Sequence, residues 1–181
     1  MKPVLTSGSY LRQLFAALTE HTFHAELGVA DPQLTEYLTD LQLRFVKMDA
    51  IFRIRDTGGR RLEELAEMMV EAEARQARPQ REVHRHIGDF ALFWSGMFPE
   101  ALKRLQSADR SDHLLDYREQ GKRAYYIAST FDDGEWQREA TVLRRLSSDF
   151  EMCCYGLGQI RREWENLPNE AETGAWGAEA N

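Results

Sequence analysis

The chain has 181 residues, 43% hydrophobic and 10% aromatic, which supplies a core and excludes a disordered or low-complexity protein. Thirty acidic against 23 basic side chains give a net charge of −7, which opposes attraction to nucleic-acid phosphates and anionic membrane surfaces. No apolar window is long enough for a transmembrane helix.

The N-terminal residues lack the apolar run and cleavage site of a signal peptide. Cys153 and Cys154 are adjacent, which leaves neither a disulfide framework nor a Cys-x-x-Cys motif. The expectation is a cytoplasmic protein.

The hydrophobic spacing is helical almost throughout. Over 9–27, Leu11, Leu14, Phe15, Leu18 and Thr22 share one side. Asp31 is an N-cap, and Pro32 takes the first helical position, where a missing N–H costs nothing. From there Leu34, Leu38, Leu41, Phe45, Met48 and Phe52 recur at spacings of three and four, and the glycines of "DTGGRR" are placed to cap the helix end. A third helix is predicted over about 60–76, with Leu62, Leu65, Met69 and Ala72 inward, and "ARPQ" as the next break.

The fourth helix carries "EVHRHIGDFALFWSGMFPE", residues 82–100. It is apolar all round from Phe90 to Phe98 and is predicted to break near Gly96, with Pro99 opening a short helix to Leu105. A fifth is predicted over 112–131 with Ser111 as N-cap, and a long C-terminal helix over 135–167. The seam of the last is Trp136, Ala140, Leu143, Leu146, Phe150, Cys153, Leu157, Ile160 and Trp164.

The expected fold is therefore all-α, an antiparallel helical bundle of about five to six helices. Residues 1–28 would form an N-terminal peripheral helix, 29–167 the bundle domain and 168–181 a mobile acidic tail.

Glu82, His86 and Asp89 stand four and three apart and form one polar line at the mouth of the apolar stretch. A carboxylate there requires a partner, either His86 or an arginine from another helix. His113 and Asp116 on the fifth helix would complete a metal or acid/base site if the two lines faced each other. The Glu-x-x-His spacing of di-iron bundles is missing, which favours a structural ion pair. His84, on the far side with Arg81 and Arg85, reads as a solvated basic corner.

His21 and His24, three apart, are a weak metal pair, as are His86 and Asp89. Tyr117, Gly121 and Tyr125 form a small-residue strip flanked by tyrosines, suited to a ligand slot or to close helix packing. The aromatic load, with Trp94, Phe98, Tyr125, Tyr126, Trp136 and Trp164, exceeds what a minimal bundle needs.

No catalytic motif and no cofactor are implied. The functional expectation is a protein that acts by binding, through a protein partner or self-association, without nucleic acid or membrane. The alternative is a bundle enzyme or carrier with a metal or small-ligand site between the fourth and fifth helices.

Overall fold

The computed structural model describes residues 7–46 and 53–168. It is an all-α bundle; among the described residues there are eight α-helices and no β-strand. No helix among them is long and apolar enough to cross a membrane.

Helix α1, Ser7–Glu20, runs into a π-helical turn, His21–Glu26. The wider turn shifts the buried face, so that Phe15, Thr19, Thr22 and Phe23 all point inward. Helix α2, Pro32–Phe45, starts as predicted: the Asp31 carboxylate accepts from the Leu34 N–H at 3.1 Å, with Pro32 at the first position. Leu34, Leu38, Leu41 and Phe45 are buried, whereas Met48 and Phe52 lie outside the described residues.

"DTGGRR" is not a helix cap. Asp56 accepts from the Gly58 and Arg60 N–H groups, Gly59 adopts φ 81°, and Arg55 bridges Arg61 in a tight antiparallel turn. The third helix consequently begins later than predicted, as α3, Leu65–Ala74. Leu62 is still buried, but from the preceding loop, and Met68 rather than Met69 is the fully buried methionine.

"ARPQ" is likewise not a break. It is the first turn of α4, Ala77–Met97, where Pro79 sacrifices no helical hydrogen bond. The sharp turn falls at Arg75 and Gln76, with Ala77 at φ 52°. The other end of α4 follows expectation: it stops at Met97, Pro99–Ala101 forms a 3-10 turn, and the short α5, Leu102–Leu105, follows.

Helix α6, Tyr117–Ser129, starts five residues later than predicted and is capped by Asp116, which accepts from the Arg118 and Glu119 N–H groups. Ser111 is not its N-cap; its own N–H donates to Glu64 at 2.7 Å. Buried Asp112 caps α3 rather than α6, accepting from the Leu65 and Ala66 N–H groups at 2.8 Å each, and also accepts from the Tyr117 hydroxyl in the first turn of α6.

The long C-terminal helix divides at Asp149 (ψ 27°) into α7, Gln137–Ser148, and α8, Phe150–Glu165. Ser147, Ser148 and Asp149 are weak helix formers that compete for backbone groups, and Asp149 is held by Arg145 Nε at 3.2 Å. The middle of the predicted seam survives across the junction, with Ala140, Leu143, Leu146, Phe150, Cys153, Leu157 and Ile160 all buried, but its two ends do not: Trp136 is half-buried in the 3-10 turn before α7, and Trp164 is exposed near the end of α8.

Helix α4 is the central element, packed by α3, α6 and α8 and in contact with α2. It runs antiparallel to α6: Gly88 meets Tyr125, and Ala91 meets Gly121. A Cβ on Gly88 would lie 2.5 Å from the Tyr125 ring, so the glycine lets that tyrosine cross the helix surface. Gly156 does the same on α8, where Phe23 occupies the place of a side chain and ties the N-terminal segment into the core.

Candidate functional site

Asp89 lies in the middle of α4 and is only 1% exposed. Its Oδ1 accepts from the Tyr37 hydroxyl at 2.7 Å and the Tyr125 hydroxyl at 2.8 Å; its Oδ2 accepts from Arg44 at 3.0 Å. Tyr37 and Arg44 stand seven apart on α2 and so face α4 together. Arg85, one turn before Asp89, donates to the Tyr37 oxygen at 3.3 Å.

Burial pushes the Asp89 carboxyl up, but the Arg44 and Arg85 charges and the two tyrosine hydroxyls outweigh it and leave it below the ordinary carboxylate value. Burial and the neighbouring Asp89 raise both phenols. Asp89 is thus a fixed anion and the tyrosines fixed donors. The expected arginine partner is Arg44; the tyrosine hydroxyls are additional.

The hub extends to α7. Arg81 is 1% exposed, pairs with Glu82 at 2.8 Å and with Glu139, and sits 5.4 Å from the Trp136 ring centroid. The solvated corner expected around Arg81 is therefore a buried ion pair. Arg85 bridges Glu139 at 3.3 Å and Glu82 at 3.5 Å. Above this network is a cleft of about 520 Å³ lined by Arg12, Arg44 and Arg85, each facing a carboxylate, with Arg12 on Asp40 at 2.7 Å.

The other sequence candidates disperse. His86 is buried and stacks on Phe45, 6.0 Å between centroids. Glu82 is half-buried within the arginine pairs. His113 is exposed, with Nδ1 3.2 Å from the Gln106 carbonyl, and Asp116 is spent as the α6 cap.

Asp116 lies nine residues before Tyr125, about 13 Å along the helix axis, so the two polar lines do not converge. His21 pairs with Glu26 at 3.5 Å, and His24 is exposed nearby. Among the described residues no three His, Cys, Asp or Glu side chains are grouped to hold a metal ion.

Tyr117 bonds Asp112, and the space beside Gly121 is occupied by Phe150 and Ala91, each within 2.8 Å of a Cβ placed there. The tyrosine strip is packed solid. Burial pushes the Cys154 thiol up to about 12 and Cys153 further, which keeps both as inert thiols.

Among the described residues a large apolar space lies elsewhere. Phe15 of α1, Phe45 of α2, Phe93 and Trp94 of α4, Phe98 after it and Trp164 of α8 surround a chamber of about 330 Å³, with Gln42, Val46 and Met97 the other described residues that line it. It reaches the surface at Val46, 48% exposed, and Trp164, 38% exposed. Edge-to-face and tilted contacts hold the wall, including Phe15 with Trp164 at 5.3 Å and Phe93 with Trp94 at 5.4 Å.

Two buried polar atoms in this wall, Gln42 Oε1 and Trp94 Nε1, have no hydrogen-bond partner among the described residues. Three of the surplus aromatics seen in the sequence, Trp94, Phe98 and Trp164, are accounted for here. Gln42 was readable as well: it follows Leu38 by four on an otherwise apolar helix face.

Comparisons of the chain with models of known protein families, with curated proteins and with solved structures yield no match.

Proposed function

We propose that this protein acts by binding a small apolar molecule in the aromatic chamber at the end of the bundle where α1, α2, α4 and α8 meet. The observation that carries this reading is the chamber itself: about 330 Å³, walled by six aromatic side chains and open at Val46 and Trp164. Binding pockets are concave, largely apolar and furnished with few polar groups. What sets this opening apart from the wider cleft over Arg12, Arg44 and Arg85 is its apolar, aromatic lining rather than its size.

The Asp89 hub supports the same reading from the other side. Its groups are locked to one another, which suits a scaffold better than proton transfer. The ligand site therefore lies away from the α4–α6 contact where the spacing of histidines and carboxylates had suggested one.

At interior packing density the chamber holds roughly a dozen non-hydrogen atoms, and such a ligand binds with Kd on the order of 10 µM. The test is isothermal titration with the bicyclic probes indole, benzofuran and indene, repeated on Val46→Trp, which plugs the rim without disturbing the buried wall. Saturable binding to the native chain that the plug abolishes is expected. No saturable binding of any probe, or binding indifferent to the plug, overturns the proposal.

A further inference from the structure

Independently of the aromatic chamber, we infer that the cleft of about 520 Å³ over the Asp89 hub is a second binding site, for a small molecule carrying a single carboxylate.

The chain is acidic, yet the cleft is lined, among the described residues, by three arginines, Arg12, Arg44 and Arg85, against two carboxylates, Asp40 and Glu139. The ion pairs beneath do not cancel that excess. Arg12 is matched by Asp40, and Arg44 by Asp89. Arg53, Arg81 and Arg85 share Glu82 and Glu139, three charges against two. The described pairs around the cleft therefore sum to one positive charge. One added carboxylate balances it, whereas a phosphate dianion exceeds it and meets Asp40 and Glu139 in the lining.

The donors are accessible and held in place. The Arg44 and Arg85 side chains are 28% and 21% exposed. Among the described residues Arg44 makes one side-chain hydrogen bond, from Nη1 to Asp89. Its other N–H groups are unclaimed but are not among the buried unpaired atoms, so solvent reaches them. Both guanidinium carbons stand over the Tyr37 ring, 5.9 and 5.7 Å from its centroid, and Asp89 and Glu139 hold them there. A guanidinium fork matches a planar carboxylate with parallel N–H···O bonds, and arginines that are already ordered lose little freedom on binding it. Leu43 offers apolar contact to the rest of such a molecule.

The test is an NMR titration of the full chain, read at the arginine Nε–H resonances, with butyrate and its neutral isostere butyramide. Butyrate should shift Arg44 and Arg85 saturably, with Kd on the order of 1 mM, and butyramide should shift neither. Two lining residues with exposed side chains move the charge sum in opposite directions without touching the buried hub. Arg12→Gln should weaken butyrate about threefold, and Asp40→Asn should tighten it about threefold. Arg44→Lys keeps a counter-charge for Asp89 but loses the fork, and should weaken butyrate about tenfold.

No saturable shift with butyrate, an equal response to butyramide, or affinities unmoved by both charge variants overturns the site. Inorganic phosphate binding more tightly than butyrate overturns the assignment to a single carboxylate. If Arg44→Lys does not fold, the two charge variants decide. Indole binding in the chamber, or its failure, has no bearing on these outcomes.

Discussion

The Asp89 hub and the aromatic chamber both bury polar atoms beside aromatic rings, yet they treat those atoms differently. Around Asp89 three donors converge on one carboxylate, and each of those donors is itself placed by a helix. Around the chamber an amide oxygen and an indole N–H face no partner. Buried polar groups that are fully paired stiffen a core and specify its geometry. Buried polar groups left unpaired are uncommon. Apolar surroundings alone would not have separated the two regions; the Asp89 carboxylate is saturated with donors, although Arg81 Nε at the edge of the hub is unpaired, whereas the Gln42 amide oxygen has no donor among the described residues.

Removing a partner should therefore be costly at the hub and nearly free in the chamber. Asp89→Ala leaves two buried phenols and the partly exposed Arg44 charge without their acceptor, and should cost about 3 kcal/mol in urea unfolding. A loss below about 1 kcal/mol would put the hub in the same class as a surface ion pair.

The hub also has a pH signature. Because the folded Asp89 value is depressed, its contribution is fully present above the unfolded carboxyl value, near 3.8, and is lost as pH falls through the lower folded value. The native chain should lose stability steeply with acidification below about pH 4, and Asp89→Asn should flatten that limb. Parallel acid limbs in the two proteins would refute it.

Next in size is the packing that places Tyr125 against the hub. Gly88→Ala sets a Cβ 2.5 Å from that ring and should cost about 1–3 kcal/mol, read as a lower denaturation midpoint with unchanged slope. A neutral result would mean that the α4–α6 contact opens freely.

The smallest effect is expected in the chamber. Gln42→Met loses two donor bonds but also the stranded oxygen, so its stability should stay within about 1 kcal/mol of the native chain. A loss comparable to that of Asp89→Ala would show that Gln42 is structural and erase the contrast between the regions.

Much of the fold was legible because helical periodicity is local. The Asp31–Pro32 start, the seam through α7 and α8 and the stop at Pro99 follow from residues within a turn or two of each other. The misplaced boundaries share a cause. The fifth helix was started at Asp112 with Ser111 as its N-cap; Asp112 instead serves the start of α3, 47 residues earlier in the chain. At "DTGGRR" an Asp side chain closing its own turn replaced the expected glycine cap.

The sequence by itself determined an all-helical chain, with Asp89 marked as a carboxylate at the mouth of an apolar helix and more aromatics than a simple bundle needs. Tertiary structure alone decided that Tyr37 and Arg44, 52 and 45 positions away, would claim that carboxylate. It alone also decided that rings from four helices would stop short of filling one end of the bundle. The reason is physical. Periodicity reports which face of a helix turns inward, whereas pairing and void volume depend on which faces meet and at what angle.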